Sequence, residues 1–200
     1  MCASARTKLD VKSTVKRKIV TLFGGSSESG DPAFSRAAYE FGRLVAREGW
    51  VLRTGAGSGK SVMGQAADGA LAEGGRVEGV ILAKFWGIRH QRLHRLRSER
   101  TFARRKAGLI HRTNAVVIFP GGIGTLDELG EILVLKQNEF SRVPVVLVNL
   151  RGYYNLLLRW FQKAVRSGLL RSSDLGLFST VRTPQEAWAA VTSKAVVPSA

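Results

Sequence analysis

The nine residues Pro120-Gly121-Gly122-Ile123-Gly124-Thr125-Leu126-Asp127-Glu128 set a glycine-rich turn between a short apolar run, Ala115 to Phe119, and a run with helical apolar spacing. This reads as strand, tight turn, helix N-terminus. Such a turn brings backbone N–H groups and the positive end of a helix dipole to one point, which suits an anion such as phosphate. The glycines permit backbone angles and a closeness of approach that a Cβ would forbid. Thr125 is expected to cap the helix and to offer its hydroxyl to the same anion. Glu128, expected in the first helical turn, adds a carboxylate beside the cradle. That pairing points to chemistry on a phosphorylated substrate.

The elements that must position this turn repeat the same pattern. Lys18 to Phe23 is a β-rich run ending in Gly24-Gly25-Ser26-Ser27, and Asp31-Pro32 opens a helix that runs to Gly49. Trp50 to Thr54 is a second strand, followed by Gly55-Ala56-Gly57-Ser58-Gly59 and a small-residue helix from about Ser61 to Ala72. Val77 to Leu82 is a third strand. A helix from about Ser98 to Arg112 leads to the fourth at Ala115–Phe119. The helix from Thr125 to about Asn138 leads to the fifth, Val143–Val148. Two more helices follow, from Tyr153 to about Ser167 and, behind the capping sequence Thr183-Pro184-Gln185-Glu186, through Val191. Glycine-bounded Val/Ile/Leu runs that alternate with helices predict an α/β fold, one doubly wound, mostly parallel sheet with helices on both faces. Ligands of such sheets sit beyond the carboxyl ends of the strands, where all three glycine clusters (24–25, 55–59 and 121–124) fall.

Two hundred residues at 44% hydrophobic make one domain with an adequate core. We expect a basic arm at 1–17, the domain at 18–193 and a tail at 194–200. The lone cysteine, Cys2, supplies no disulfide framework, so a reducing, cytoplasmic setting is expected. No apolar run approaches the roughly 18 residues of a membrane span. The net charge of +16 is concentrated: residues 84–106 hold nine Lys or Arg against Glu99 alone. A charge focused just before the glycine turn favours a small anionic ligand over a nucleic-acid coat.

Several signals are set aside. Gly57-Ser58-Gly59-Lys60-Ser61 imitates a P-loop, but the first glycine of that pattern falls on Thr54. His90 and His94 have helical metal-ligand spacing without a third ligand, so we read them as solvated or phosphate-facing and expect no metal. Trp160, Phe161 and Trp188 at helical spacing are expected in the core. Trp86, beside Lys84, is left open.

With Arg105-Lys106 upstream, the pattern P-G-G-x-G-T-x-x-E over Pro120–Glu128 resembles the LOG (LONELY GUY) family of nucleoside 5′-monophosphate phosphoribohydrolases, long labelled lysine decarboxylases. The resemblance includes the opening strand with Gly24-Gly25-Ser26, the turn Thr54-Gly55-Ala56-Gly57 with Met63 after it, and Gly152-Tyr153-Tyr154-Asn155-Leu156-Leu157. It implies a Rossmann-like domain that cleaves the N-glycosidic bond of a purine nucleotide, of cytokinin type or AMP, without cofactor. Arg105 and Glu128 would be catalytic. Gly25, Ser26, Gly57, Met63, Lys106, Gly121, Gly122, Ile123, Gly124, Thr125 and Asp127 would bind substrate and phosphate. Glycoside cleavage passes through an oxocarbenium-like sugar, which a carboxylate near C1′ stabilises. The resemblance also implies a homodimer that completes each site from both subunits. Apolar Leu126, Leu129, Ile132, Leu133 and Leu135 on more than one face of a helix agree with that.

The chain departs from the family in three places: the added Gly59-Lys60-Ser61, Val134-Leu135 where a Thr-Trp pair is usual, and the arginine density from Arg89 to Arg105. Molybdenum-cofactor carriers resemble the same fold and motif, which makes a non-hydrolytic nucleotide or cofactor carrier the alternative reading. A nucleic-acid-binding module, motivated by the charge, is the second.

Overall fold

Seven short strands, each parallel to its neighbours, carry the fold: β1 (Ile19–Phe23), β2 (Val51–Thr54), β3 (Arg76–Leu82), β4 (Arg95–Glu99), β5 (Ala115–Ile118), β6 (Val145–Val148) and β7 (Ser179–Val181). They lie in the order β4-β3-β2-β1-β5-β6-β7 in a computed structural model that describes residues 17–28 and 30–193. The basic arm, except Arg17, the C-terminal tail and Cys2 lie outside the described residues. The chain works outward from β1 to β4, then crosses back to β5 on the other side of β1. The topological switch therefore falls between β1 and β5, where a doubly wound sheet opens its ligand crevice.

Alternation along each strand builds two cores. Val20 and Leu22 of β1, with Val117 of β5 and Val146 of β6, pack under α1 (Pro32–Arg47), α2 (Val62–Ala72) and α6 (Pro184–Thr192). Phe23, Ile118 and Leu147 face the opposite layer, α3 (Phe102–Ile110), α4 (Ile123–Gln137) and α5 (Asn155–Arg166). Capping side chains fix the helix starts: Asp31 Oδ1 accepts from Ala33 N (2.8 Å), Ser61 Oγ from Gly64 N (3.1 Å) and Thr183 Oγ1 from Glu186 N (3.1 Å). Among the described residues no helix is long and apolar enough to cross a membrane.

Several expectations need correction. The helix expected from Ser98 begins at Phe102, and Arg95–Glu99 before it is an edge strand. Neither β4 nor β7 was legible as a strand. Both are edges, and the charged run Arg-Leu-Arg-Ser-Glu is what an edge carries to discourage further pairing. Trp188 is buried, edge-on to Phe41 and Trp50, and Phe161 packs against Phe178, but Trp160 is 58% exposed and outside the core. Leu129, Ile132 and Leu133 of α4 are buried against their own sheet, Leu135 packs on the same layer, and Leu126 stays half-exposed.

One polar row crosses the α3 side of the sheet. Arg53 of β2 is buried, donating to the carbonyls of Leu109 (3.3 Å) and His111 (2.6 Å) and to Glu78 Oε2 of β3 (3.2 Å). The C-terminal end of α3 is thereby pinned to the sheet. Removing one member of a buried pair leaves an uncompensated charge. Glu78→Ala is therefore expected to lower stability by about 3 kcal/mol in urea unfolding. A change within about 0.5 kcal/mol, as at an ordinary surface site, would mean that the two carbonyls alone satisfy Arg53.

Candidate active site

The ends of β1 and β5 are joined by backbone. Phe119 N donates to Phe23 O (2.8 Å) and Gly25 N to Pro120 O (3.0 Å), so the first and third glycine turns form one floor at the switch point. A cavity of about 280 Å³ opens above it, lined on one side by Gly24, Ser26, Gly55, Gly57, Gly122, Gly124 and Thr125. Helix α4 begins at Ile123 with Gly122 as its N-cap, so Thr125 is an interior residue of the first turn and does not cap. Its backbone N–H already bonds Gly122 O (3.0 Å), leaving the donors of Ile123 and Gly124 without an intrahelical acceptor. Those two N–H groups, and not that of Thr125, are left available to an anion. Glu128 likewise lies beyond the first turn, which holds no acidic residue.

Close contact explains the glycines. A Cβ on Gly121 would stand 2.1 Å from Thr125 Oγ1 and 2.8 Å from Gly25 N. Two tyrosines at the start of α5 hold the carbonyls of this turn. Tyr153 donates its hydroxyl to Gly121 O (2.8 Å) and Tyr154 to Phe119 O (2.7 Å). Burial pushes the Tyr154 phenol far above its ordinary range, so it stays protonated and a donor. With its carbonyls turned toward these hydroxyls, the loop is held in one conformation.

Opposite the turn, Arg105 of α3 and Glu128 of α4 meet in the cavity wall, Nη1 to Oε1 at 2.8 Å, with side chains 13% and 5% exposed. Arg105 Nε also donates to Val80 O (3.3 Å). Gly55 makes room for the guanidinium, since a Cβ there would lie 2.2 Å from Arg105 Nη2. Burial raises the Glu128 pKa above the ordinary carboxylate range, and the charge and hydrogen bond of Arg105 pull it part of the way back.

Of the residues expected from sequence, Ser26, Gly57, Met63, Arg105, Gly122, Ile123, Gly124, Thr125 and Glu128 line this one cavity. Gly25 and Gly121 lie beneath it as floor. Lys106 and Asp127 do not line it: Lys106 Nζ is held between Asp127 Oδ1 (2.7 Å) and Glu131 Oε2 (2.6 Å), bracing α3 against α4. His90 is neither solvated nor aimed at phosphate. It is buried, with Nδ1 accepting from Arg92 N (3.2 Å) and Nε2 3.2 Å from Asp68 Oδ1, which fixes the proton on Nε2. Its backbone N–H bonds Ala56 O (3.1 Å), anchoring a non-glycine residue at φ 58° in the second turn. Such a conformation persists only where its surroundings enforce it. His94 Nδ1 accepts from Val77 N (3.2 Å), another structural bond.

Sequence reasoning missed the rest of the cavity. Ile81, Phe85, Ile88 and Phe102 give it an apolar half, contributed by the end of β3, the turn that follows it and the start of α3. Only the exposed aromatic pair Phe85-Trp86 could have signalled it.

Comparison with known proteins agrees with the geometry. A family model described as "Possible lysine decarboxylase" matches residues 63–191. The chain is 35% identical over 162 residues to a "Probable cytokinin riboside 5′-monophosphate phosphoribohydrolase" of Oryza sativa subsp. japonica, covering 80% of this chain and 70% of that protein. It is 34% identical over 164 residues to a cytokinin riboside 5′-monophosphate phosphoribohydrolase of Arabidopsis thaliana, covering 80% and 74%. Among solved structures, the molybdenum cofactor carrier protein of Chlamydomonas reinhardtii superposes with a TM-score of 0.68 at 24% identity, covering 88% of this chain and 96% of that one. At that identity the likeness shows the fold alone.

The close packing of the turn makes a prediction. Gly121→Ala must displace Thr125 or Gly25 and tilt the donors of Ile123 and Gly124, so phosphate affinity by calorimetry should fall by roughly tenfold or more, the loss of one or two charge-assisted hydrogen bonds. Unchanged affinity would place the anion elsewhere.

Proposed function

The chain belongs to the LOG family, and from that premise we propose that it hydrolyses the N-glycosidic bond of a purine nucleoside 5′-monophosphate, of cytokinin type or AMP itself, releasing free base and ribose 5-phosphate. The observation that carries this reading is the Arg105–Glu128 pair in the wall of a cavity whose floor is the glycine turn. Holding a phosphate has no use for a buried carboxylate a few residues from it; cleaving a glycosidic bond does.

In this reading the N–H groups of Ile123 and Gly124 hold the 5′-phosphate. The purine lies toward Phe85, Ile88 and Phe102, which suit an aromatic base with or without an apolar substituent. That arrangement brings C1′ between the two ends, beside Glu128. As the bond to the base lengthens, the carboxylate stabilises the positive charge on the ribose and orients the attacking water. Arg105, loosened from Glu128 by substrate, contacts the ribose or the departing base. The reading includes a cytoplasmic setting, on the single-cysteine argument. The carrier alternative draws on a likeness of fold and gives the buried pair no task.

The enzyme is expected to cleave AMP or a related purine 5′-monophosphate without added metal, and the unphosphorylated nucleoside poorly. Glu128→Gln should reduce kcat by on the order of 10² or more, the scale of a lost transition-state interaction, while nucleotide binding survives. Arg105→Ala should lose turnover and weaken binding as well. Arg97→Ala, paired with Glu99 away from the cavity, should leave both nearly unchanged. Because burial raises the Glu128 pKa and the ionised form is the active one, kcat/KM should fall with acid at a pH above 4.5, the ordinary glutamate value. Calorimetry beside steady-state kinetics separates these outcomes, and near-wild-type turnover in Glu128→Gln would leave the carboxylate only a structural charge.

We further propose a homodimer. Leu126, Gly130 and Val134 form one stripe of α4 and, with Leu157, Trp160 and Leu170, line an apolar groove of about 520 Å³. Leu126, Val134 and Trp160 are exposed, more apolar surface than a lone domain leaves open without purpose. Light scattering at micromolar concentration should give a dimer, and Val134→Glu a monomer. A monomeric wild type would count against the assignment.

A further inference from the structure

The arginine-dense segment 84–106 is more basic than the hydrolase reading requires, and its ion pairs divide it. Arg92 is paired with Asp68, Arg97 with Glu99, Arg105 with Glu128, and Lys106 with Asp127 and Glu131. Among the described residues Lys84, Arg89, Arg95, Arg100 and Arg104 form no ion pair. Topology sorts these five. Strands β3 and β4 are parallel and end at Leu82 and Glu99. The 3-10 turn Ala83–Ile88 leaves from the carboxyl end of one, and Arg100 with the start of α3 from the carboxyl end of the other. Lys84, Arg89, Arg100 and Arg104 thus belong to the cavity end of the sheet, beside the lining residues Phe85, Ile88 and Phe102. Arg95 begins β4 at the opposite end.

Among these cations stands Trp86, 44% exposed and outside the cavity lining. The Arg89 guanidinium lies 4.4 Å from the centre of its ring, and Arg89 Nη1 donates to Trp86 O (2.9 Å). The pair holds an indole at the surface in one orientation, with a cation on its face.

We propose that this rim binds single-stranded nucleic acid, its backbone phosphates on Lys84, Arg89, Arg100 and Arg104 and an unpaired base stacked at Trp86. A duplex hides its bases and would leave the indole without a partner. Stacking with a guanidinium between charges is the arrangement by which single strands are held without sequence preference. The assignment is independent of the hydrolase reading.

The test uses the full chain and a fluorescein-labelled 15-nucleotide single-stranded RNA, with a duplex of the same sequence, read by anisotropy across a salt series. The single strand should bind more tightly than the duplex, with log affinity falling linearly in log salt. Arg100→Ala and Arg104→Ala should each flatten that slope by about 0.7, one phosphate contact apiece. Trp86→Ala should weaken binding by roughly tenfold with the slope unchanged, the loss of one stacked base. Unchanged thermal unfolding of the three variants checks that they fold. No binding at low salt, equal affinity for the duplex, or rim variants that bind like wild type would overturn the proposal. The last outcome would give binding to residues outside the rim. Binding to phosphatidylserine vesicles in the absence of oligonucleotide binding would overturn it in favour of a membrane surface.

Discussion

A carboxylate 5% exposed has to be paired, and pairing Glu128 dictates much of the architecture around it. Its partner comes from another helix, so α3 and α4 must dock at a fixed separation with Arg105 aimed inward. Three features secure that docking. Arg53 ties the C-terminal carbonyls of α3 to the sheet, Lys106 bridges α3 to Asp127 and Glu131 of α4, and Gly55 clears the space the guanidinium occupies. The pair does not need to be strongly stabilising. A buried ion pair roughly recovers its own desolvation, so it marks a geometry the fold is built to maintain.

The glycine turn is constrained from below as tightly as from the side. Gly25 N donates to Pro120 O, Thr125 fills the space a Gly121 side chain would need, and the Tyr153 and Tyr154 hydroxyls hold the carbonyls of Gly121 and Phe119 on either side of Pro120. Donors fixed before a ligand arrives need no reorganisation during reaction, which is where electrostatic catalysis gains its advantage. The tyrosines follow β6 and the turn follows β5, so adjacent strands supply the glycine turn and its support.

How much of this was legible in the sequence depended on whether the signal was local. The alternation of strand and helix, the caps at Asp31 and Thr183, the start of a helix near Ser61, and the gathering of three glycine clusters at one end of the sheet all follow from short-range spacing, and the structure has them. What failed was decided by tertiary contact. β4 and β7 are strands because a neighbour pairs with them, not because Arg-Leu-Arg-Ser-Glu or Ser-Thr-Val prefers the β state. Lys106 sits next to Arg105 in sequence, but successive helical residues point about 100° apart, so one faces the cavity and the other Asp127. His90 looked like a surface histidine because its partner, Asp68, is 22 residues away on α2. The apolar half of the cavity was hidden for the same reason, since Phe85 and Phe102 come to line one cavity only once β4 has carried the chain back.

The same lesson applies to charge. A net +16 says little about partners while the cations are uncounted by role. Arg53 serves the core, Arg105 the cavity, Lys106 the helix pair, and Arg43 and Arg47 share Glu73 between α1 and the end of α2. Each of these would read as surface basicity from composition, yet each is neutralised by a named acid. Within residues 84–106, subtracting the paired cations leaves Lys84, Arg89, Arg100 and Arg104 at one end of the sheet beside an exposed indole, and Arg95 at the other. Attraction of a polyanion depends on the unpaired charge, because a cation matched by a carboxylate a few ångströms away acts outward only as a dipole, whereas an unpaired one keeps its full field out to about a Debye length, about 8 Å at physiological salt.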